Sequence, residues 1–326
     1  ETIRSTGAKH VQIRALTERR ETCSLKISGM LQAISNLNDS YEVAALLDSD
    51  TVPPRDWLRE LVAPLSDPRV GISSGNRWYM PDDLSWGGLV RYLWNAAAVV
   101  QMYWYGIAWG GSLAVRARLL REQGLLERLG RAFGEDSVIC RYAIPRGWRV
   151  AFVPSLVMVN REGCSVPGFF RFLQRQLLTV RLANPWWWGV VAHGIATSAA
   201  LAAALALLLF GLLSGRWGAV GWSAAGLGGY LASMILLLAI MEFYVRRILR
   251  ARKEPADWLR LRSGFWALLA IPLTQAVYPI GLISTFFVRT HWWRGVQYRF
   301  GGGITVRVVK DGPYRGESVS PTDAAS

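Results

Sequence analysis

Two pairs of carboxylates stand out in the 326-residue sequence. Asp48-Ser49-Asp50 closes a short apolar run, EVAALL (42–47), and Pro53-Pro54 follow almost at once. Two acids one residue apart at the end of a strand can offer hard oxygen donors to a divalent cation. Mg²⁺ is commonly held by one or two carboxylates together with a substrate's phosphates, and a metal so placed neutralises a departing diphosphate. The same acids also serve simply as a turn into the next helix, and the pattern alone leaves both readings open. The second pair is Gly134-Glu135-Asp136. Acids are frequent in the first turn of a helix, where the dipole favours them, yet one of them placed at a reacting hydroxyl is a general base. Between the pairs, Ala108-Trp109-Gly110-Gly111-Ser112 has two glycines that let the backbone approach a ligand, or make an ordinary turn into a strand. Lys26 can meet phosphates as a point charge, or lie solvated on a helix.

Other chemistries have little support. Cys23, Cys140 and Cys164 show no CxxC spacing, so they suggest neither a disulfide framework nor a zinc site. His10, His193 and His291 are scattered. The formal charge of +14 by itself suggests a nucleic-acid partner. However, only 18% of the residues are charged, 52% are apolar and 16 are Trp, which argues for lipid and against nucleic acid.

The elements that must position these residues fall into two halves. Residues 1–181 mix charged and apolar segments as a soluble domain does. HVQIRAL (10–16) has strand character, and 24–37 carries Leu25, Met30, Leu31 and Ile34 at mostly helical spacing. EVAALL reads as a buried parallel strand, 53–65 as a helix begun by its prolines, and 70–79 as another strand. This alternation predicts an α/β fold with a parallel sheet, its ligand site at the C-terminal ends of the strands. Residues 84–105 are strongly aromatic with Arg91 as their one charge, suiting an interfacial segment, the lining for an apolar acceptor, or plain core.

From Leu182 onward the pattern changes. Residues 182–215, 217–241 and 263–288 contain no Asp, Glu, Lys or Arg, and the first two are long enough to cross a bilayer. The third holds Pro272, Gln275 and Pro279, which predicts a segment that dips in and returns. Trp186, Trp187, Trp188, Trp217, Trp222, Trp292 and Trp293 mark the edges of these runs, as indoles do at headgroup level. Residues 165–182 form a basic amphipathic segment of the kind that lies in the interfacial plane. The loop 246–262, with seven basic and two acidic residues, belongs on the cytoplasmic side together with 1–181.

The order of a lysine helix, DSD at a strand end, a DPxVG strand, a GGSxAxR turn, GED, an RQLL segment and then apolar spans resembles the membrane-bound glycosyltransferases of family 2 and the related ceramide-glucosyltransferase-like group. The resemblance covers roughly residues 20–300. It implies a GT-A fold that binds a nucleotide sugar. Asp48 and Asp50 would hold Mg²⁺ or Mn²⁺ against the diphosphate, and Asp136 would be the catalytic base with Glu135 beside it. Lys26, Gly110, Gly111 and Ser112 would border the donor, with Arg175 or Arg181 contacting the diphosphate. Trp293-Arg294-Gly295 and Tyr298-Arg299 resemble a WRGxxYR motif after the last helix of bacterial members. Two departures are visible. The family's first strand and its uracil-binding Asp have no counterpart after Glu1, so the chain is expected to be truncated at its start. The Q/RxxRW motif keeps Arg175 but has Leu178 and Thr179 where Arg and Trp stand, which favours single transfer over polymerisation.

The expected organisation is a GT-A-like catalytic domain (1–164), an amphipathic interfacial helix (165–185), a transmembrane region (186–288, with spans about 188–213, 219–242 and 264–288) and a basic tail (289–326) with a disordered end. The expected activity is inverting transfer of a sugar to a lipid or lipid-linked hydroxyl at a bacterial-type inner membrane, with the catalytic domain in the cytoplasm. A processive polysaccharide synthase and an inactive membrane scaffold are the rival readings.

Overall fold

A computed structural model describes residues 12–256 and 261–311. Part of the basic loop (257–260) and residues 312–326 of the stretch expected to be disordered (311–326) lie outside the described residues, while Asp311 ends a strand. So do His10 and Val11, and the rest of the first expected strand is irregular chain instead. A side chain holds its end: Gln32 donates to Ala15 O at 2.7 Å and accepts from Thr17 N, just beyond it, at 2.9 Å.

The helix carrying Gln32 is α1 (Leu25–Ser35), capped by Ser24, whose hydroxyl accepts from Ile27 N. It leads to β1 (Val43–Leu47) and α2 (Trp57–Val62). The prolines expected to open α2 instead shape the turn before it, where Pro54 O accepts from Trp57 N. Next come β2 (Val70–Tyr79), α3 (Trp86–Tyr105), β3 (Ser112–Arg116), the short α4 (Ala117–Leu120) and α5 (Gln123–Leu129), α6 (Glu135–Ala143) and β4 (Arg149–Asn160).

The four strands lie in the order β1-β3-β2-β4, and the sheet is mixed, not parallel as expected. β2 and β4 are parallel, but β3 runs antiparallel to both β1 and β2. β1 is an edge strand of intermediate burial, not a buried parallel one. This has a direct consequence for the site. Leu47 pairs with Ser112, so the C-terminal end of β1 meets the N-terminal end of β3, and Asp48 N donates to Gly111 O. A parallel pairing would have put Asp48 and the double glycine at opposite edges. One hydrophobic cluster packs α1, α5 and α6 together with β3, and fixes the helix that carries Glu135 and Asp136.

The expected interfacial helix is α7 (Val166–Ala183), capped by Ser165. α8 (Trp187–Ser214), α9 (Trp217–Ala251) and α10 (Leu261–Phe287) follow. All three are long and apolar enough to cross a membrane. They differ in packing, with 39% of the apolar window of α10 buried against 6% for α8 and 0% for α9. α10 is one continuous helix through Pro272 and Pro279, which replaces the expected dip and return. It lies along α3 and α7. Trp266 near its start meets Trp86, and Arg181 near the end of α7 donates to Thr285 O and Val288 O at its other end. The tail then forms an antiparallel meander, β5 (Thr290–Trp293), β6 (Val296–Phe300) and β7 (Val306–Asp311).

α9 extends through Ala251, so the first residues of the expected basic loop are helical. Where its apolar stretch ends it is tied to the α/β layer by a buried carboxylate. Glu242 accepts from Trp78 Nε1 and Tyr92 Oη, both at 2.9 Å, and from Arg246 Nε at 3.1 Å. Replacing Glu242 with Leu leaves the buried Trp78 Nε1 donor without this acceptor, which predicts a loss of about 2 kcal/mol. A lowered thermal midpoint in detergent micelles is the expected result, and an unchanged midpoint would show that these contacts do not hold α9 to the domain.

Candidate active site

The site lies at the sheet edge where β1 ends and β3 begins. Lys26, in the first turn of α1, points its Nζ between two carboxylates, 2.7 Å from Asp48 Oδ1 and 2.6 Å from Glu135 Oε1. Glu135 is the first residue of α6 and is 3% exposed. Burial pushes its carboxyl above the usual range, Lys26 pulls it back down, and the neighbouring Asp136 charge raises it again. Burial works against a charged Lys26, but the Glu135 and Asp48 charges outweigh it, and the ammonium is held well above its ordinary value. The site therefore keeps a protonated lysine clasped by carboxylates rather than a neutral, nucleophilic one.

Asp136 faces a different set of partners. Its Oδ2 accepts from Gly110 N at 3.0 Å and its Oδ1 from Ser137 N at 2.6 Å. Both bonds fix the carboxylate at the start of α6, where the helix dipole favours its charge. The two glycines are needed here for space. A Cβ on Gly110 would collide with the Glu135 carboxylate, and one on Gly111 would collide with the Trp109 ring and lie 2.7 Å from Asp48 Oδ2. Gly110 therefore separates the Lys26 cluster from Asp136 by the thickness of a backbone.

Asp50 is exposed at the tip of the same turn as Asp48 and meets Arg294 at 3.3 Å. Arg294 and Gly295 take positive φ, of 48° and 78°, in the tight turn between β5 and β6. The same hairpin reaches α1 through Tyr298, whose hydroxyl accepts from Leu25 N, and packs Trp293, Tyr298 and Phe300 around Phe133. Arg175 lies over the Trp293 ring at 5.5 Å. Burial and then the Arg175 charge hold His291 down at about 4, so it is neutral near pH 7.

Among the described residues no three of His, Cys, Asp and Glu gather to hold a metal. Asp48 and Asp50 offer oxygens from one turn, but one oxygen of each already faces Lys26 or Arg294. Such a pair suits Mg²⁺ or Mn²⁺ only where a ligand's phosphate oxygens complete the shell.

A protein-family model described as glycosyl transferase family 21 matches residues 8–306. The chain belongs to this family. No curated protein matches it. The carboxylate-rich edge is thus the candidate site of a glycosyltransferase, and the match extends across the apolar helices into the tail.

Within this glycosyltransferase the expected site residues separate. Lys26, Asp48, Glu135, Asp136, Gly110 and Gly111 are brought together. Ser112 points elsewhere, its hydroxyl accepting from Trp57 Nε1 at 2.9 Å. Arg181 is engaged at the end of α10, and its guanidinium is eased below its ordinary value by burial. Arg175 remains near the tail hairpin. One residue went unnoticed in the sequence. Arg77, near the end of β2, donates to Gln176 Oε1 and lies 5.6 Å from Trp109, with Tyr79 and Phe172 also within 6 Å. A lone Arg inside the strand VGISSGNRWY was the available signal.

The Lys26–Glu135 pair predicts a pH signature. A carboxyl whose folded value is raised adds stability that is full below its unfolded value and is lost as pH rises through the folded one. Lys26→Met removes the charge that restrains this rise. The stability gap between the variant and wild type is therefore expected to widen from pH 5 to pH 8, read as thermal midpoints across that range. A constant gap would show that Glu135 does not ionise against Lys26.

Proposed function

We propose that the protein transfers a sugar from a nucleotide-diphosphate sugar to the hydroxyl of a lipid or lipid-linked acceptor, with the α/β domain on the cytoplasmic face of a bacterial-type inner membrane. The observation that carries this reading is the Asp136 carboxylate, fixed by two backbone N–H groups and separated only by Gly110 from the Lys26 cluster. In this arrangement a free carboxylate lone pair accepts the proton of the attacking hydroxyl, while a cation and an acidic turn lie on the other side of the glycines. Lys26 contributes positive charge to the diphosphate. Asp48 and Asp50 would hold Mg²⁺ or Mn²⁺, which supplies electrostatic stabilisation of the leaving group when bound. Direct attack opposite the leaving group inverts the anomeric carbon, in keeping with the ceramide-glucosyltransferase-like resemblance.

A lipid acceptor is supported by what surrounds the site. Tyr103, Trp104, Trp186 and Trp188 are exposed aromatics at the end of α3 and the start of α8, and Tyr105 stacks on Trp186 at 5.8 Å. Such rings favour the headgroup region. In this reading α8 and α9 cross the bilayer, and α7 and α10 lie along its surface beneath the domain.

Asp136→Asn is expected to lower transfer of labelled sugar into extracted lipid by about 10²–10⁴-fold while nucleotide binding persists. Transfer at the wild-type rate would remove Asp136 as the base. Asp50→Ala is expected to abolish the gain in nucleotide affinity that metal brings, measured by titration with and without Mg²⁺. A ladder of product lengths from wild-type protein would replace single transfer with polymerisation.

A further inference from the structure

A second concave site lies apart from the carboxylates. It has a volume of about 550 Å³ and sits between α5, α6 and the loop joining β6 to β7. Arg128, Arg131, Arg141 and Arg146 line it. Among the described residues none of the four is ion-paired. Glu127 is the one acid in the wall. The floor is the Tyr142 ring, with Arg146 3.7 Å and Arg128 5.7 Å from its centre, and the ring is fixed by the bond from its hydroxyl to Glu122. Four like charges with one acid among them in the described wall repel one another, and an anion between them relieves that repulsion.

The pocket is linked through packed neighbours to the start of the apolar helices. Ile144, between Tyr142 and Arg146, comes within 3.5 Å of the Cβ position of Gly106, and the adjacent Tyr105 stacks on Trp186, just before α8. The opposite wall, Gly302–Thr305, belongs to the hairpin that follows α10 directly. One wall is thus linked by packing to the start of α8, and the other follows α10 in the chain.

We propose that this pocket is a phosphate site, filled by the headgroup of an anionic phospholipid from the adjacent leaflet. Arg128, Arg131 and Arg141 supply the charge, and Arg146, stacked on Tyr142, sets one edge. An occupied pocket ties the tail hairpin to α6, since Val306 N already donates to Arg131 O three residues before Gly134. The expected effect is a steadier hairpin, independent of the sugar donor.

The test uses the full chain in neutral detergent with chelator and no nucleotide. Short-chain phosphatidylglycerol, short-chain phosphatidylcholine and inorganic phosphate are titrated separately, and the thermal midpoint is followed for wild type and the double variant Arg128→Gln/Arg141→Gln. Both positions are exposed, and an unchanged midpoint without ligand confirms that the variant is folded. Phosphatidylglycerol is expected to raise the wild-type midpoint, with about 30-fold weaker apparent affinity in the variant, each basic residue at an anionic surface contributing about fivefold. A saturable response to inorganic phosphate alone, lost in the variant, would keep the phosphate site but make its source a free ion. Equal responses of wild type and variant, or of phosphatidylglycerol and phosphatidylcholine, overturn the proposal.

Discussion

A carboxylate that is 3% exposed cannot stay ionised without a partner, and for Glu135 the partner is Lys26. Removing one member of such a pair leaves a buried charge that costs several kcal/mol. The single ammonium therefore holds together the start of α1, the turn after β1 and the start of α6, which are separated by 22 and 87 residues in the chain but meet within 3 Å of Nζ. Asp136 depends on this arrangement indirectly. It follows Glu135 in the first turn of α6, so fixing Glu135 fixes where Asp136 can reach Gly110 N. Neither glycine of the pair can be enlarged without striking one of these side chains.

The carboxylates were legible in the sequence because element boundaries leave local marks. Gly134 does cap α6, and DSD does follow a strand. What was hidden depends on pairing between distant segments. Strand periodicity is the same for parallel and antiparallel neighbours, so nothing within VAALL or SLAVR could reveal that β1 and β3 run in opposite directions. Lys26 looks like any helical lysine until α6 arrives beside it. Arg181 looked suited to a diphosphate, but the carbonyls at the end of α10, 104 residues or more away, engage it first. The first expected strand is a different case. HVQIRAL alternates as a strand should, but Ile13 and Leu16 are exposed and Gln32 bonds the Ala15 carbonyl.

The membrane-facing elements extend the same core. Trp78 and Tyr92 from the α/β layer, Phe169 and Leu173 from α7, Val245 and Leu249 from α9, and Ala270 and Leu282 from α10 belong to one buried cluster. Val245 and Leu249 pack α9 on the domain, and polar ties reinforce that packing. Glu242 supplies them at the point where the apolar stretch of α9 gives way to Arg246 and Arg247. The charge excess of the sequence has a matching place, since basic residues cluster in α7, at the end of α9 and in the tail.

The tail sharpens the membrane reading through a parity argument. Arg294 meets Asp50 and Tyr298 meets Leu25, so the hairpin and the α/β domain are on one side of any bilayer. A chain that leaves a side and returns to it crosses an even number of times. Three helices between them are long and apolar enough to cross, so in this reading one does not. α8 and α9 form a hairpin whose apolar stretches are scarcely buried, as lipid-facing helices are, and Gly211 packs against Val220 near its tip. α10 is the helix with substantial burial, and each of its ends touches an element joined to the domain, Trp86 at one and Arg181 at the other. In the proposed arrangement its apolar length lies along the membrane surface. In that arrangement the basic tail stays on the side of the α/β domain, with Arg294 beside Asp50.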